Sequence, residues 1–164
     1  MRPVPIPPGP GQESVWDYPR PAIAEATSAH LRVEFAGRTI AETRSGVRTL
    51  ETSHPPTYYF PRDDVDFDVL KRNARRSLCE WKGQASYFDL ILGDRVSREA
   101  GWSYASPTPP FALIHDFIAF YPARVDACFV DGERVQAQPG QFYGGWITRQ
   151  VVGPFKGEPG TQFW

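Results

Sequence analysis

The sequence predicts a mainly β protein: two small antiparallel sheets with one or two short helices, and long aromatic straps at the N- and C-terminal ends. Three observations predict it. Short runs alternate apolar and polar residues, as strands with one covered face do. Two-residue turns containing glycine, at Ala36-Gly37, Gly93-Asp94 and Asp131-Gly132, join several of these runs, and such turns need a positive φ. Finally, 17 Pro and 14 Gly in 164 residues leave little room for long helices.

The elements follow in chain order. Residues 1–12 carry 5 prolines and few core-forming side chains, so 1–14 is expected to be a flexible proline-rich arm. Residues 15–164 are expected to form a single β-rich domain. Its first segment, 15–21, sets Trp16 and Tyr18 beside prolines and reads as an ordered strap, with the compact body starting near His30. Leu31, Val33 and Phe35 alternate with Arg32 and Glu34 and return through 39–41. The other two hairpins pair 90–92 with 95–97 and 128–130 with 133–135. Further strands are expected at 47–52, 57–60, 77–81, 85–92 and 101–104. One short helix fits 67–72, with Asp66 as its cap. A second fits 110–117, where proline is tolerated in the first turn and Thr108 is placed to cap; its end, 117–121, reads equally well as a strand. The tail 139–164 holds Phe142, Tyr143, Trp146, Phe155, Phe163 and Trp164. Disordered tails are poor in aromatics, so this one is expected to wrap the body.

Composition narrows the function. A formal net charge of −1 gives no field that gathers nucleic acid or anionic membrane. No apolar run is long enough for a membrane span, and the start of the chain lacks the apolar region of a signal peptide. Cys79 and Cys128 form no CxxC pair and read as reduced thiols. A soluble cytoplasmic protein follows by elimination. His30, His54 and His115 lack HxxxH spacing, so no metal site is expected. The sequence specifies neither a cofactor nor an oligomeric state.

Reactive and aromatic side chains concentrate between Arg48 and Phe88, in short strand-like segments. A pocket for a small polar ligand needs this mixture, because apolar walls exclude water while a few polar groups fix orientation. In a strand over 47–52, Thr49 and Glu51 share one face, and Arg48 and Leu50 the other. His54, held extended by Pro55, then stands beside Glu51, and a neighbouring carboxylate orients an imidazole for acid–base work. His54 and Glu51 are therefore the candidate catalytic pair. Arg48, Tyr58, Trp81, Lys82, Tyr87 and Trp102 are the candidate ligand-binding residues: Arg48 and Lys82 for an anion, the aromatics for a planar body. A competing constellation is Asp64 and Asp66, which alternate as metal-bridging carboxylates of a nucleotidyltransferase would; helix capping accounts for them as well. The basic run Lys71 to Arg76 reads as a solvated face, and Cys79 as an inert thiol unless its thiolate is stabilised.

The segments LETSHPPTYYFPRDDV, CEWKGQASYF, WSYASP, FYPARVDACFVDGERV and GGWITRQVVGPFKGEPG resemble the family called domain of unknown function 427, also catalogued under a nucleotidyltransferase-like heading. The resemblance runs from Val15 to Trp164. It implies a small, mostly β fold, similar to the β-tent group, in which two antiparallel sheets meet at an angle and hold a ligand or metal between them. Many β-tent proteins carry paired CxxC zinc ligands; this chain has none, so the resemblance implies a metal-free version. The nucleotidyltransferase heading finds no glycine-serine partner for Asp64 and Asp66 and no GxxxxGK loop.

The leading expectation is a small-molecule-binding β-domain whose ligand is a small anionic or aromatic metabolite held by a His/Glu/Lys pocket. Catalysis stays open. The alternatives are a metal-dependent nucleotidyltransferase-like protein and a non-catalytic protein-interaction module. The leading expectation requires His54 and Lys82 to meet at one aromatic-walled hollow.

Overall fold

Hairpin turns set the architecture. The computed structural model describes residues 2–164, so Met1 of the expected arm lies outside the described residues. The strands are β1 (Glu13–Ser14), β2 (Ile23–Ala26), β3 (Leu31–Phe35), β4 (Arg38–Thr43), β5 (Val47–Leu50), β6 (Thr57–Phe60), β7 (Leu70–Cys79), β8 (Gly83–Leu92), β9 (Arg95–Ser103) and β10 (Ile118–Phe120). Five short strands follow: β11 (Ala127–Val130), β12 (Glu133–Arg134), β13 (Gln136–Ala137), β14 (Trp146–Ile147) and β15 (Val151–Val152). Each of the three expected two-residue turns joins a hairpin. Ala36 and Gly37 have φ of 51° and 76°, and Asp131 and Gly132 have 49° and 81°, the left-handed pair that matches the twist of the flanking strands.

The expectation of two small sheets is corrected. One antiparallel sheet holds seven strands in the order β2-β5-β6-β10-β9-β8-β7, and a second holds four in the order β12-β11-β3-β4. Two further two-stranded pairs are β1 with β15 and β13 with β14. The large sheet forms because β10 pairs with both β6 and β9, which fuses the 47–60 hairpin to the long β7–β9 meander.

The helix expected over 67–72 is absent. Residues 70–72 open β7, which pairs with β8 on both sides of a register shift between Arg72 and Arg76, and a ten-residue hairpin partner outweighs local helix preference. Asp66 instead accepts the Asp68 N–H at 3.0 Å in a local turn. The second expected helix shortens to a 3-10 segment, Pro109–Ile114, and the chain then enters β10. Thr108 does not cap it; its hydroxyl donates to the Trp81 carbonyl. Burial starts before His30, with Val15, Trp16 and Tyr18 already inside. In the arm, the Ile6 N–H donates to the Gly153 carbonyl at 2.8 Å and the Gln12 side chain to the Arg149 carbonyl at 2.7 Å.

The two large sheets pack face to face. Leu31, Val33, Phe35 and Cys128 of the four-stranded sheet meet Phe60, Phe88, Leu90 and Ile118 of the seven-stranded one. Trp146 from the tail joins this core fully buried, and its indole N–H donates to the Phe120 carbonyl at 3.1 Å. The opposite face of the seven-stranded sheet carries a second cluster, built on Tyr59, Ala85, Tyr87, Trp102, Tyr104 and Ala119. The Pro109–Ile114 segment packs its Phe111 and Ile114 into that cluster with Ala22 and Ala24 beside β2. Meanwhile Thr108 N–H donates to the Lys82 carbonyl at 3.0 Å at the tip of the β7–β8 hairpin. The segment thus bridges the two edges of a curled sheet.

Trp146 makes the tail part of the core. Trp146→Ala should lower stability by about 3–5 kcal/mol in urea denaturation, and deletion of 140–164 should unfold the domain rather than leave it intact.

Candidate functional site

The second face of the seven-stranded sheet is covered incompletely, and a cavity of about 630 Å³ remains there. Its floor follows from strand register. Val47 lies opposite Tyr59, Tyr59 opposite Ala119, Ala119 opposite Trp102, and Trp102 opposite Tyr87. Directly paired residues share a face, so this row crosses five strands on the cavity side. Ala119 is the small residue at its centre, and over it the Trp102 indole N–H reaches the Tyr59 hydroxyl at 3.3 Å. Tyr104 and Tyr121 extend the aromatic wall, with Trp102 and Tyr121 rings 4.5 Å apart. At the far side the Ser77 and Tyr87 hydroxyls lie 2.7 Å apart.

Polar groups gather at two places. At one, His54 Nε2 stands 3.3 Å from Glu51 Oε2, and Gln138 Nε2 lies 3.0 Å from His54 Nδ1. The Tyr143 ring packs edge-on against the imidazole at 4.7 Å. Lys82 also lines this cavity, with its ammonium 5.5 Å from the centre of the Phe111 ring. Burial alone would raise the Glu51 carboxyl, but the hydrogen bond from His54, with the cations Lys82 and Arg20 nearby, outweighs it and holds the group below the ordinary carboxylate range. At the other place, Arg124 lies over the Tyr121 ring at 4.0 Å and donates to the carbonyls of Glu99 and Gln141 at 2.7 and 3.0 Å. Arg75 beside it is paired with Glu99 at 2.7 Å. Burial raises the Tyr59 and Tyr104 phenols well above their usual range, and burial with Tyr87 pushes Tyr121 up to about 12 against the pull of Arg124. These three phenols are therefore neutral near pH 7 and can both donate and accept hydrogen bonds.

Of the expected residues, Glu51, His54, Lys82, Tyr87 and Trp102 line this one cavity. Arg48 and Tyr58 do not. They lie opposite each other in β5 and β6 and face the other side of the sheet, where Arg48 pairs with Glu13 and Glu25 at 2.8 and 2.7 Å. Tyr58 packs on Trp146 in the main core. Trp81 lines a smaller neighbouring hollow of about 330 Å³ with Arg20, Lys156 and Trp164. Glu51 and Cys79 border both hollows. Sequence reasoning missed Tyr59, Tyr104, Tyr121, Arg124, Gln138 and Tyr143. The parity of 57–60 carries a signal for Tyr59, since Thr57 pairs with Thr49. Gln138 carries none, because it acts on a residue 84 positions away.

Asp64 and Asp66 lie elsewhere. Asp64 accepts from the Thr43 hydroxyl at 2.7 Å, and Asp66 pairs with Arg38 at 2.7 Å. Among the described residues no cluster of three or more His, Cys, Asp or Glu side chains is suited to a metal ion. No helix among them is long and apolar enough to cross a membrane.

The Glu51 environment predicts an acid dependence. Its carboxyl titrates lower in the folded chain than in the unfolded one. It therefore adds stability above the unfolded value, and that stability is lost as pH falls through the folded value. Glu51→Gln should narrow the stability gap between pH about 7 and pH about 3, read as the shift in urea midpoint.

No curated protein matches the chain. A family model described as Domain of unknown function (DUF427) matches residues 23–131, which span β2 to the turn after β11 and include Glu51, His54, Lys82 and Trp102. The chain belongs to the DUF427 family.

Proposed function

We propose that this protein binds a small metabolite with a planar or aromatic body and an anionic group, seated in the cavity on the open face of the seven-stranded sheet. One observation carries the reading: an aromatic-walled cavity of about 630 Å³ holds two cations, Lys82 and Arg124, that among the described residues pair with no carboxylate. The volume suits a small ligand. The neutral tyrosines offer hydrogen bonds along the wall, and an anionic group supplies the counter-charge the cations lack. Glu51, with His54 beside it, is the group placed to handle a proton if the ligand is also a substrate.

Residues 15–164 act as one domain, with 1–14 as its arm and 139–164 as the tail that closes the cavity. A β-tent relationship is supported by two antiparallel sheets packed across one core, although the cavity lies behind the larger sheet instead of between the two. A cytoplasmic setting is supported by two unpaired cysteines, Cys79 and Cys128. The nucleotidyltransferase reading has less support, since Asp64 and Asp66 are engaged locally and lie outside the cavity lining. An interaction module would rest on exposed Phe142 and Phe163, but no partner chemistry singles them out.

The test is a thermal-shift screen of aromatic carboxylates and phosphate esters, followed by titration of tryptophan fluorescence. A ligand should raise the melting temperature by mass action. Lys82→Met should weaken it about 10- to 150-fold, the loss of one charge-assisted hydrogen bond of about 1.5–3 kcal/mol. A screen without hits, or hits indifferent to both Lys82→Met and Arg124→Met, would overturn the proposal.

A further inference from the structure

We infer that Gln138 is a positioning residue: its carboxamide holds His54 as the neutral tautomer protonated on Nε2, and leaves Glu51 as the hydrogen-bond acceptor that the cavity offers a ligand. Its functional meaning rests on the cavity reading above; the tautomer itself does not.

The orientation of the Gln138 amide is fixed twice. The Gly145 N–H reaches one terminal atom at 3.1 Å, and a backbone N–H can only donate, so that atom is the oxygen. The Lys156 carbonyl stands 2.8 Å from the other, and a carbonyl can only accept, so that atom is the nitrogen. The second N–H of this nitrogen faces His54 Nδ1 at 3.0 Å. Nδ1 must present its lone pair. The ring proton then sits on Nε2, directed at Glu51 Oε2 at 3.3 Å.

The arrangement is built into the backbone. A Cβ on Gly145 would fall 2.5 Å from Gln138 Oε1 and 2.9 Å from the Pro55 carbonyl, so only glycine brings that N–H to the amide. Gln138 and His54 are both buried, and unsatisfied donors there would be costly.

Both imidazole nitrogens are thus occupied, and His54 has no free lone pair with which to take a proton from a ligand. The expectation that His54 and Glu51 share proton transfer divides into two roles. His54 steadies the carboxylate; Glu51 accepts. The contacts of Glu51 to His54 and Arg20 both use Oε2, which leaves Oε1 for a ligand. The ligand class narrows accordingly: a hydroxyl or amine donor facing Glu51 and an anion facing Lys82.

Long-range 15N–1H correlation spectra of the full, ligand-free chain at neutral pH test the inference. The expected signature is an unprotonated Nδ1 and a proton on Nε2 for His54, assigned by its loss in His54→Gln. A proton on Nδ1, or on both nitrogens, overturns it. Gln138→Glu keeps an acceptor for Gly145 and places an acceptor opposite Nδ1 while Glu51 stays opposite Nε2, so Nδ1 should gain a proton; an Nδ1 still unprotonated in the folded variant also overturns it. Should that variant not fold, the wild-type spectrum decides alone. Because no ligand is involved, a failed binding screen and a failed tautomer assignment are separate results.

Discussion

The contact on which the rest depends is the seating of Trp146 between the sheets. Its ring packs on Tyr58 and Phe60, 5.1 and 6.0 Å between centres, while its N–H meets the Phe120 carbonyl. An indole buried with its donor satisfied contributes both apolar area and direction. It therefore anchors β14, and with it the preceding loop. Through that loop Gly144 abuts Trp102, Gly145 donates to Gln138, and Tyr143 closes on His54. A residue on the core side of the sheet thus fixes the outer wall of a cavity on the other side.

Strand parity decides what enters that cavity. In β5 and β6 the paired residues Thr49 and Thr57 face the cavity, whereas Arg48 and Tyr58 face the strap and core. The two tyrosines in sequence at 58 and 59 consequently have different fates. One braces Trp146; the other bonds Trp102. Ala119 matters for the opposite reason. Between Tyr59 and Trp102 it is small enough for the Trp102 indole N–H to reach the Tyr59 hydroxyl from the strand on its other side. A larger side chain there would crowd those rings.

These facts mark what is legible in the sequence. The hairpins are, because Ala36-Gly37 and Asp131-Gly132 supply turn chemistry that acts within four residues. The Glu51–His54 neighbourhood is legible too, since it spans a single turn. The segment 67–72 misleads, because its pairing partner Phe88 to Leu90 lies a hairpin away and decides strand over helix. Arg48 lies outside the cavity, as its strand parity, opposite to that of Glu51, already implies. Gln138, Arg124 and Tyr121 are invisible locally. Each acquires its role only when the tail and the 118–124 segment fold onto the sheet.

The electrostatics of the cavity follow from the same assembly. Arg124 satisfies its donors with two backbone carbonyls and a tyrosine face, none of which carries a negative charge. Lys82, set at a hairpin tip, lies against an aromatic ring instead of a carboxylate. Glu51 is nearby but is committed on one oxygen to His54. Arg75, by contrast, is neutralised by Glu99. Partly desolvated cations without counter-ions are costly to hold. Arg124 is held by the Glu99 and Gln141 carbonyls and cannot retreat without giving up those bonds, whereas at Lys82 the Thr108 N–H fixes only the backbone of the hairpin tip. An anion entering between tyrosines that stay neutral meets positive charge without displacing an existing salt bridge. That is the arrangement in which a single charge-assisted contact gives the largest net gain in binding.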